Sequence, residues 1–152
     1  HCFFGDKQHF IADDGKHYRL DELKAFLAEE GIALYDTCTR VIRTRNTASD
    51  KDLQVVEQTD LKAMISALPH CRAIATAGQL ATTLCCQQLA VSEPKVGEYA
   101  VFNPHSSTPN PLSLISHPLR IYRMPSSSRA YPMAIEQKAG YYQHVFNYCG
   151  SK

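Results

Sequence analysis

The sequence contains no run approaching the ~18 consecutive apolar residues of a membrane span. No signal-peptide pattern opens it. Both absences point to a cytoplasmic protein with no membrane partner. None of the six cysteines, at 2, 38, 71, 85, 86 and 149, forms a C-x-x-C pair, which removes the usual zinc and redox-dithiol readings. The chain is neither short nor loop-rich enough for a disulfide scaffold, so reduced, partly buried thiols are expected. The G-x-x-x-x-G-K-[ST] phosphate loop and the G-x-G-x-x-G dinucleotide signature are also missing, and no cofactor is expected. An excess of charge of one sign is missing as well, with 16 Lys and Arg against 15 Asp and Glu. The formal net charge of +1 argues against broad polyanion binding but leaves room for a local basic face.

The 152 residues suit one domain with a single core, spanning 1–152. Hydrophobic residues at 44% and charged residues at 20% are ordinary for a globular protein. The chain opens on His1-Cys2-Phe3-Phe4-Gly5, without an initiator methionine, which reads as a protein whose beginning lies elsewhere. His1, His9 and His17 recur at a spacing that fits neither a helix face nor a metal-ligand pattern, so exposed loop histidines are expected and no metal.

Asp6 to Lys16 reads as a loop with a turn at Asp13-Asp14-Gly15. Leu20, Leu23, Phe26 and Leu27 recur at helical spacing, with Asp21 as the cap and Gly31 as the stop. Ile32-Ala33-Leu34-Tyr35 follows as a short apolar run with the character of a buried parallel strand. Thr37 to Asp52 is polar and basic, a long and therefore functional or disordered loop. A helix capped by Thr59 carries Leu61, Met64, Ile65 and Leu68, and Pro69 lies beyond its end. Ala73 to Ala77 is a second strand, and Gly78 turns the chain into a helix bearing Leu80, Leu84 and one of the two core-facing candidates Cys85 and Cys86. Val96 to Phe102 is a further candidate strand, Asn103 to Pro118 a proline-rich loop, and Leu119 to Tyr122 a strand. Pro132 suits the first turn of a last helix whose face is Ile135, Ala139, Tyr142 and Phe146.

Alternation of this kind argues for an α/β fold, with a mostly parallel sheet and helices on both faces. In such sheets ligands bind beyond the carboxyl ends of the strands. Three places are singled out: Asp36-Thr37, Thr76 to Gly78, and Met124 to Arg129. They are expected to converge at one edge. The last is the sharpest. In Met124-Pro125-Ser126-Ser127-Ser128-Arg129, serine hydroxyls and backbone N–H groups can hold phosphate oxygens, and Arg123 and Arg129 add charge on each side. Met124 and Tyr131 can wedge between or stack on bases. The alternative is an ordinary serine-rich turn at a helix start. Asp36 can accept a hydrogen bond from a base N–H or orient a water; its alternative is a local cap. Arg40, Arg43, Arg45 and Lys51 form a basic stretch.

Gly31-Ile32-Ala33-Leu34-Tyr35-Asp36, then Ala75-Thr76-Ala77-Gly78-Gln79-Leu80-Ala81, then Met124 to Arg129, taken in this order, resemble the uracil-DNA glycosylase superfamily. The closest likeness is to the bacterial branch with hypoxanthine-type and mismatch-type enzymes. It runs roughly from Phe4 to Phe146. The resemblance implies a three-layer α/β sandwich around a mostly parallel sheet of about four strands. It implies hydrolysis of the N-glycosidic bond of a deaminated base, uracil or hypoxanthine, flipped out of DNA. Asp36, Tyr35, Thr37 and Thr76 would line the base pocket. Met124, Pro125, Ser126, Ser127, Ser128, Arg129, Tyr131 and Gly78 would contact DNA, with Arg40, Arg43 and Arg45 near phosphates. The iron–sulfur cluster of some glycosylase branches is not supported by the cysteine spacings.

The family's first motif, a glycine–proline loop that positions the attacking water, is not found, and its expected place is before His1. The catalytic group is therefore unassigned. The strand that carries that motif is expected to be central, and its loss would leave backbone groups unpaired at roughly 1–3 kcal/mol for each one buried. Preceding chain, a second copy in a homodimer, or Val96 to Phe102 are the candidates to fill the slot. Two other functions stay open: a noncatalytic nucleic-acid-binding module, and a protein that binds a free nucleobase or nucleotide.

Overall fold

A computed structural model describes residues 1–6, 8–46, 52–104, 115, 117–128 and 130–150. The chain divides into two compact units, His1–Tyr35 and Asp36–Lys152. In the first unit, Ile11 and Tyr18 form an antiparallel bridge around the expected turn, closed by Ala12 N–H donating to the His17 carbonyl at 2.8 Å. The His17 ring and the backbone N–H groups of Lys16 and His17 bond the Asp14 carboxylate. Those contacts, the His17 ring first, hold its carboxyl below the usual carboxylate range. Helix α1, Leu20–Glu29, begins without a side-chain cap, so Asp21 sits in its first turn rather than before it. Phe26, on its apolar face, packs against Phe3, Phe4 and Phe10 at centroid distances of 5.0, 5.2 and 5.3 Å. Gly31, at φ +67°, ends the helix as its sequence position suggests.

Ile32-Ala33-Leu34-Tyr35 is not a strand; it pairs with no strand among the described residues, and Leu34 and Tyr35 are 70% and 69% exposed. The pairing forms one step later, within the segment expected to be a loop. Strand β1, Cys38–Arg43, runs antiparallel to β2, Leu53–Gln58, with Val41 opposite Val55. Thr39, Val41, Ile42, Val55 and Val56 are β-branched and suit a pleated surface. A local hairpin also closes a short loop, which costs less chain entropy than a long-range parallel pairing. This two-stranded sheet is separate from the other.

Helix α2, Leu61–Ser66, is capped by Asp60, which accepts from Ala63 N–H at 3.0 Å. Thr59, expected to cap it, is buried and donates its hydroxyl to the Asp36 carbonyl at 2.7 Å. Strand β3, Ala73–Ala77, and helix α3, Gln79–Leu89, match the sequence reading. Strand β4, Tyr99–Phe102, and β5, Leu119–Met124, complete a sheet ordered β3-β5-β4. The β3–β5 pair is parallel and β4–β5 antiparallel. The Val96–Phe102 segment thus borders β5 rather than β3, and among the described residues the outer edge of β3 has no partner strand.

Side-chain alternation in β5 builds two core clusters. Leu119 and Ile121 join Ile65 of α2, Cys85, Cys86 and Leu89 of α3, and Phe102 of β4. Tyr122 and Met124 join Val145 of the last helix, α4, Ile135–Gly150. Helices therefore cover both faces of this mixed, three-stranded sheet. The inward face of α4 is Tyr141, Tyr142, Val145 and Tyr148; of the expected stripe Tyr142 joins the cluster, whereas Ile135 is exposed. Both adjacent cysteines of α3 are buried, although only one was expected to be. Most of the Asn103–Pro118 loop lies outside the described residues.

Burial pushes the Cys85 thiol up to about 12, with the neighbouring Cys86 adding to the shift. A raised thiol stabilises the fold fully below the ordinary cysteine range, where the unfolded thiol is also protonated, and that contribution is lost as pH climbs toward 12. Native protein at pH 8 is expected to leave Cys85 unreacted with a thiol reagent, while denaturant releases it. Prompt native labelling at this cysteine, located by mass spectrometry, would contradict the packing of α3.

Candidate nucleic-acid interface

The parallel pairing of β3 with β5 fixes the geometry of the site. Ala77 is level with Met124, so both strands end at one edge. Beyond β3 the chain turns at Gly78, and beyond β5 it enters Pro125-Ser126-Ser127-Ser128. Gly78 has φ 94° and ψ 178°, a combination essentially restricted to glycine. A Cβ there would lie 3.5 Å from Ser126 Cβ, so the two turns touch. Gly78 N–H donates to the Met124 carbonyl at 3.3 Å. The Thr82 hydroxyl donates to the Gly78 carbonyl at 2.7 Å, and Thr76 and Thr82 hydroxyls meet at 2.9 Å.

The serine loop folds on its own hydroxyls. Ser126 Oγ accepts from Ser128 N–H and Ser128 Oγ accepts from Ala130 N–H, each at 3.2 Å. Such local bonds set a compact turn that needs no other support. The Ser128 carbonyl takes a bond from Lys138 Nζ at 2.8 Å and from Tyr131 N–H at 3.2 Å. Lys138 also sits 5.4 Å from the Tyr131 ring centroid. Ser127 is exposed and makes no hydrogen bond with another described residue. The edge therefore presents exposed serine hydroxyls, an ammonium and a half-buried tyrosine, a set suited to phosphate oxygens and a stacked base. Lys138 was missed in the sequence. Its only signal was a lysine one turn into the helix that follows the loop.

Several expected contacts are placed differently. Met124 is 1% exposed in the core beside Val145, so it anchors the loop and is not a wedge. Pro125 is also fully buried. Thr76 is buried with its hydroxyl donating to the Tyr122 carbonyl at 3.0 Å, which spends the group that a base would need. Arg123 turns inward: its guanidinium donates to Gln79 Oε1 and, at 3.3 Å, to the Pro94 carbonyl. Its Nε is buried without a partner among the described residues. Arg129 and Lys51 lie outside the described residues.

Asp36 is not brought to this edge. Its carbonyl is held by Thr59, and the Thr59 carbonyl in turn accepts from Gln88 Nε2 at 2.9 Å in the last turn of α3. Gly78 stands at the first turn, and ten helical residues span roughly 15 Å. The expected convergence of three strand ends thus reduces to two, because Ile32–Tyr35 never enters the sheet. The Asp36 carboxylate is exposed, and Thr37 gives its carbonyl to Thr59 N–H at 3.1 Å. Tyr35 is an exposed residue at the end of the first unit. Arg40 and Arg43 lie on the exposed hairpin strand β1, and Arg45 follows it at 3.8 Å from Asp52. Among the described residues, no three His, Cys, Asp or Glu side chains gather as a metal site. No helix among the described residues is long and apolar enough to cross a membrane. No protein-family model matches the chain, and neither a curated protein nor a solved structure is significantly similar to it.

Proposed function

We propose that this chain is a DNA glycosylase-like protein of base-excision repair, acting on a uracil or hypoxanthine base flipped out of the duplex. One observation carries the reading: the shared carboxyl edge of β3 and β5, where Gly78 abuts Ser126, followed by the exposed Ser127 and Ser128 and the half-buried Lys138 bonded to Ser128. Ligands favour this edge of parallel strands, and hydroxyls beside an ammonium suit a phosphodiester. A flipped base costs a few kcal/mol of unstacking, which backbone contacts repay. Glycosidic cleavage then passes through a sugar cation, so placed charge matters more than a strong nucleophile. Asp36 is assigned to the base edge by the resemblance alone, since it is held toward the other end of α3 from this loop.

A specific observation favours a second reading. Asp36 is tethered to the far end of α3 from the serine loop, an arrangement that suits a nucleic-acid-binding module without catalysis. One pair of measurements separates the two. Incubation with duplexes carrying a single uracil or hypoxanthine, followed by alkali, is expected to reveal strand breaks at that base. Asp36→Ala is expected to reduce cleavage far more than binding. Salt-sensitive binding with no base release would leave the binding module and remove the enzyme.

A further inference from the structure

At the other end of the same strands lies a recess of about 530 Å³, lined by His70, Arg72, Tyr99, His117, Arg120 and Tyr148, with Val101 and Pro118 beside them. Its place follows from the register: Ala73 is level with Arg120, at the start of both β3 and β5, whereas the serine loop follows their ends. Arg120 points to the α4 face of the sheet, between two aromatic rings. Its guanidinium carbon is 4.5 Å from the Tyr99 centroid and 3.9 Å from that of Tyr148. Nη1 donates to the Tyr122 hydroxyl at 3.3 Å. Arg72 lies over the same Tyr148 ring at 5.2 Å and donates to the Cys149 carbonyl at 2.7 Å. His117 Nε2 is 2.8 Å from the Cys71 carbonyl, a bond that directs the ring.

Two guanidinium groups and two imidazoles thus face one recess, and no carboxylate lines it among the described residues. Among the described residues Arg120 has no acidic partner. Guanidinium groups held by rings are pre-oriented, and their planar N–H forks match phosphate oxygens. The apolar side of the recess is unusual too. Tyr99 and Val101 are 44% and 46% exposed on the same face of β4. The recess is open to solvent, and its volume of about 530 Å³ admits a group the size of a mononucleotide.

We propose that this recess binds a phosphate monoester carried on a flat, largely apolar group, the chemistry of a mononucleotide. Arg120 and Arg72 hold the phosphate, and Tyr99 and Val101 support the ring. The site stands apart from the serine loop and does not depend on the glycosylase reading.

Calorimetric titration with AMP, adenosine and inorganic phosphate tests it on the whole chain. AMP is expected to bind with a Kd below about 1 mM. Adenosine, lacking the phosphate, and inorganic phosphate, lacking the ring, are each expected to bind at least about tenfold more weakly. Arg120→Gln is expected to weaken AMP by a similar factor. Because Arg120 is stacked and its loss can disturb packing, Val101→Glu serves as the second variant: it is exposed and level with Arg120, and a carboxylate there is expected to compete with the phosphate for the guanidinium. No heat with AMP up to several millimolar, or AMP binding unchanged in both variants, would overturn the proposal. Adenosine binding as tightly as AMP would overturn it too. Ser127→Ala is expected to leave AMP binding untouched, which keeps this result separate from any failure at the serine loop.

Discussion

Replacing Ile121 by alanine is expected to lower the unfolding free energy by about 2–5 kcal/mol, the range for deleting a fully buried branched side chain. Ile121 is 0% exposed in the middle strand, level with Ile74 of β3 and Ala100 of β4. Its side chain touches the cluster that joins α2 and α3 to the sheet. No neighbouring strand can shift to fill the cavity without breaking a ladder on one side or the other. Urea unfolding is expected to show a lower midpoint with an unchanged slope. Ile42→Ala, at a 53% exposed position on the hairpin, is the control and is expected to fall within about 0.5 kcal/mol of the parent. A loss below about 1 kcal/mol at Ile121 would mean that β5 is not the packed centre of this unit.

Gly78→Ala is expected to act on stability and on nucleic-acid binding together. The added methyl has room, since its nearest neighbour is Ser126 Cβ at 3.5 Å. The cost is in the backbone. An L-residue held at φ 94° and ψ 178° carries about 1–3 kcal/mol of strain. The chain can escape the strain only by turning Gly78 away, and that breaks its bonds to Met124 and Thr82. Either way the contact that sets the serine loop is weakened. Affinity for a single-stranded oligonucleotide is expected to fall about tenfold at fixed salt. Unchanged affinity beside the expected loss of stability would place nucleic-acid contact elsewhere on the molecule, and the glycosylase proposal would lose its supporting observation.

The two variants probe different depths of one strand. Ile121 lies in the body of β5 and Gly78 stands against the loop that β5 delivers, so the core decides where the loop is and the turn decides how it is held. Ser127→Ala touches neither, which makes it the variant for asking whether the loop hydroxyls themselves hold a ligand.

What the sequence determined by itself was local. Ala73–Ala77, the turn at Gly78 and the helix after it could be read because a small apolar run, an obligatory glycine and a helical repeat leave little choice. The serine loop could be placed after a strand for the same reason. The tertiary structure decided what depends on partners far away in sequence. Ile32–Tyr35 has the composition of a buried strand, yet a parallel strand exists only beside a neighbour, and none of the described strands pairs with it. The basic stretch after it pairs with Leu53–Gln58 instead, and that carries Asp36 to the far end of α3. Met124 and Arg123 are adjacent in sequence, but strand alternation sends one into the α4 cluster and the other toward α3. The recess with Arg72 and Arg120 was invisible in the sequence because its residues come from the starts of β3 and β5, from β4 and from the end of a helix. Only the parallel register of β3 and β5, and the helix laid across them, brings those cations and rings together.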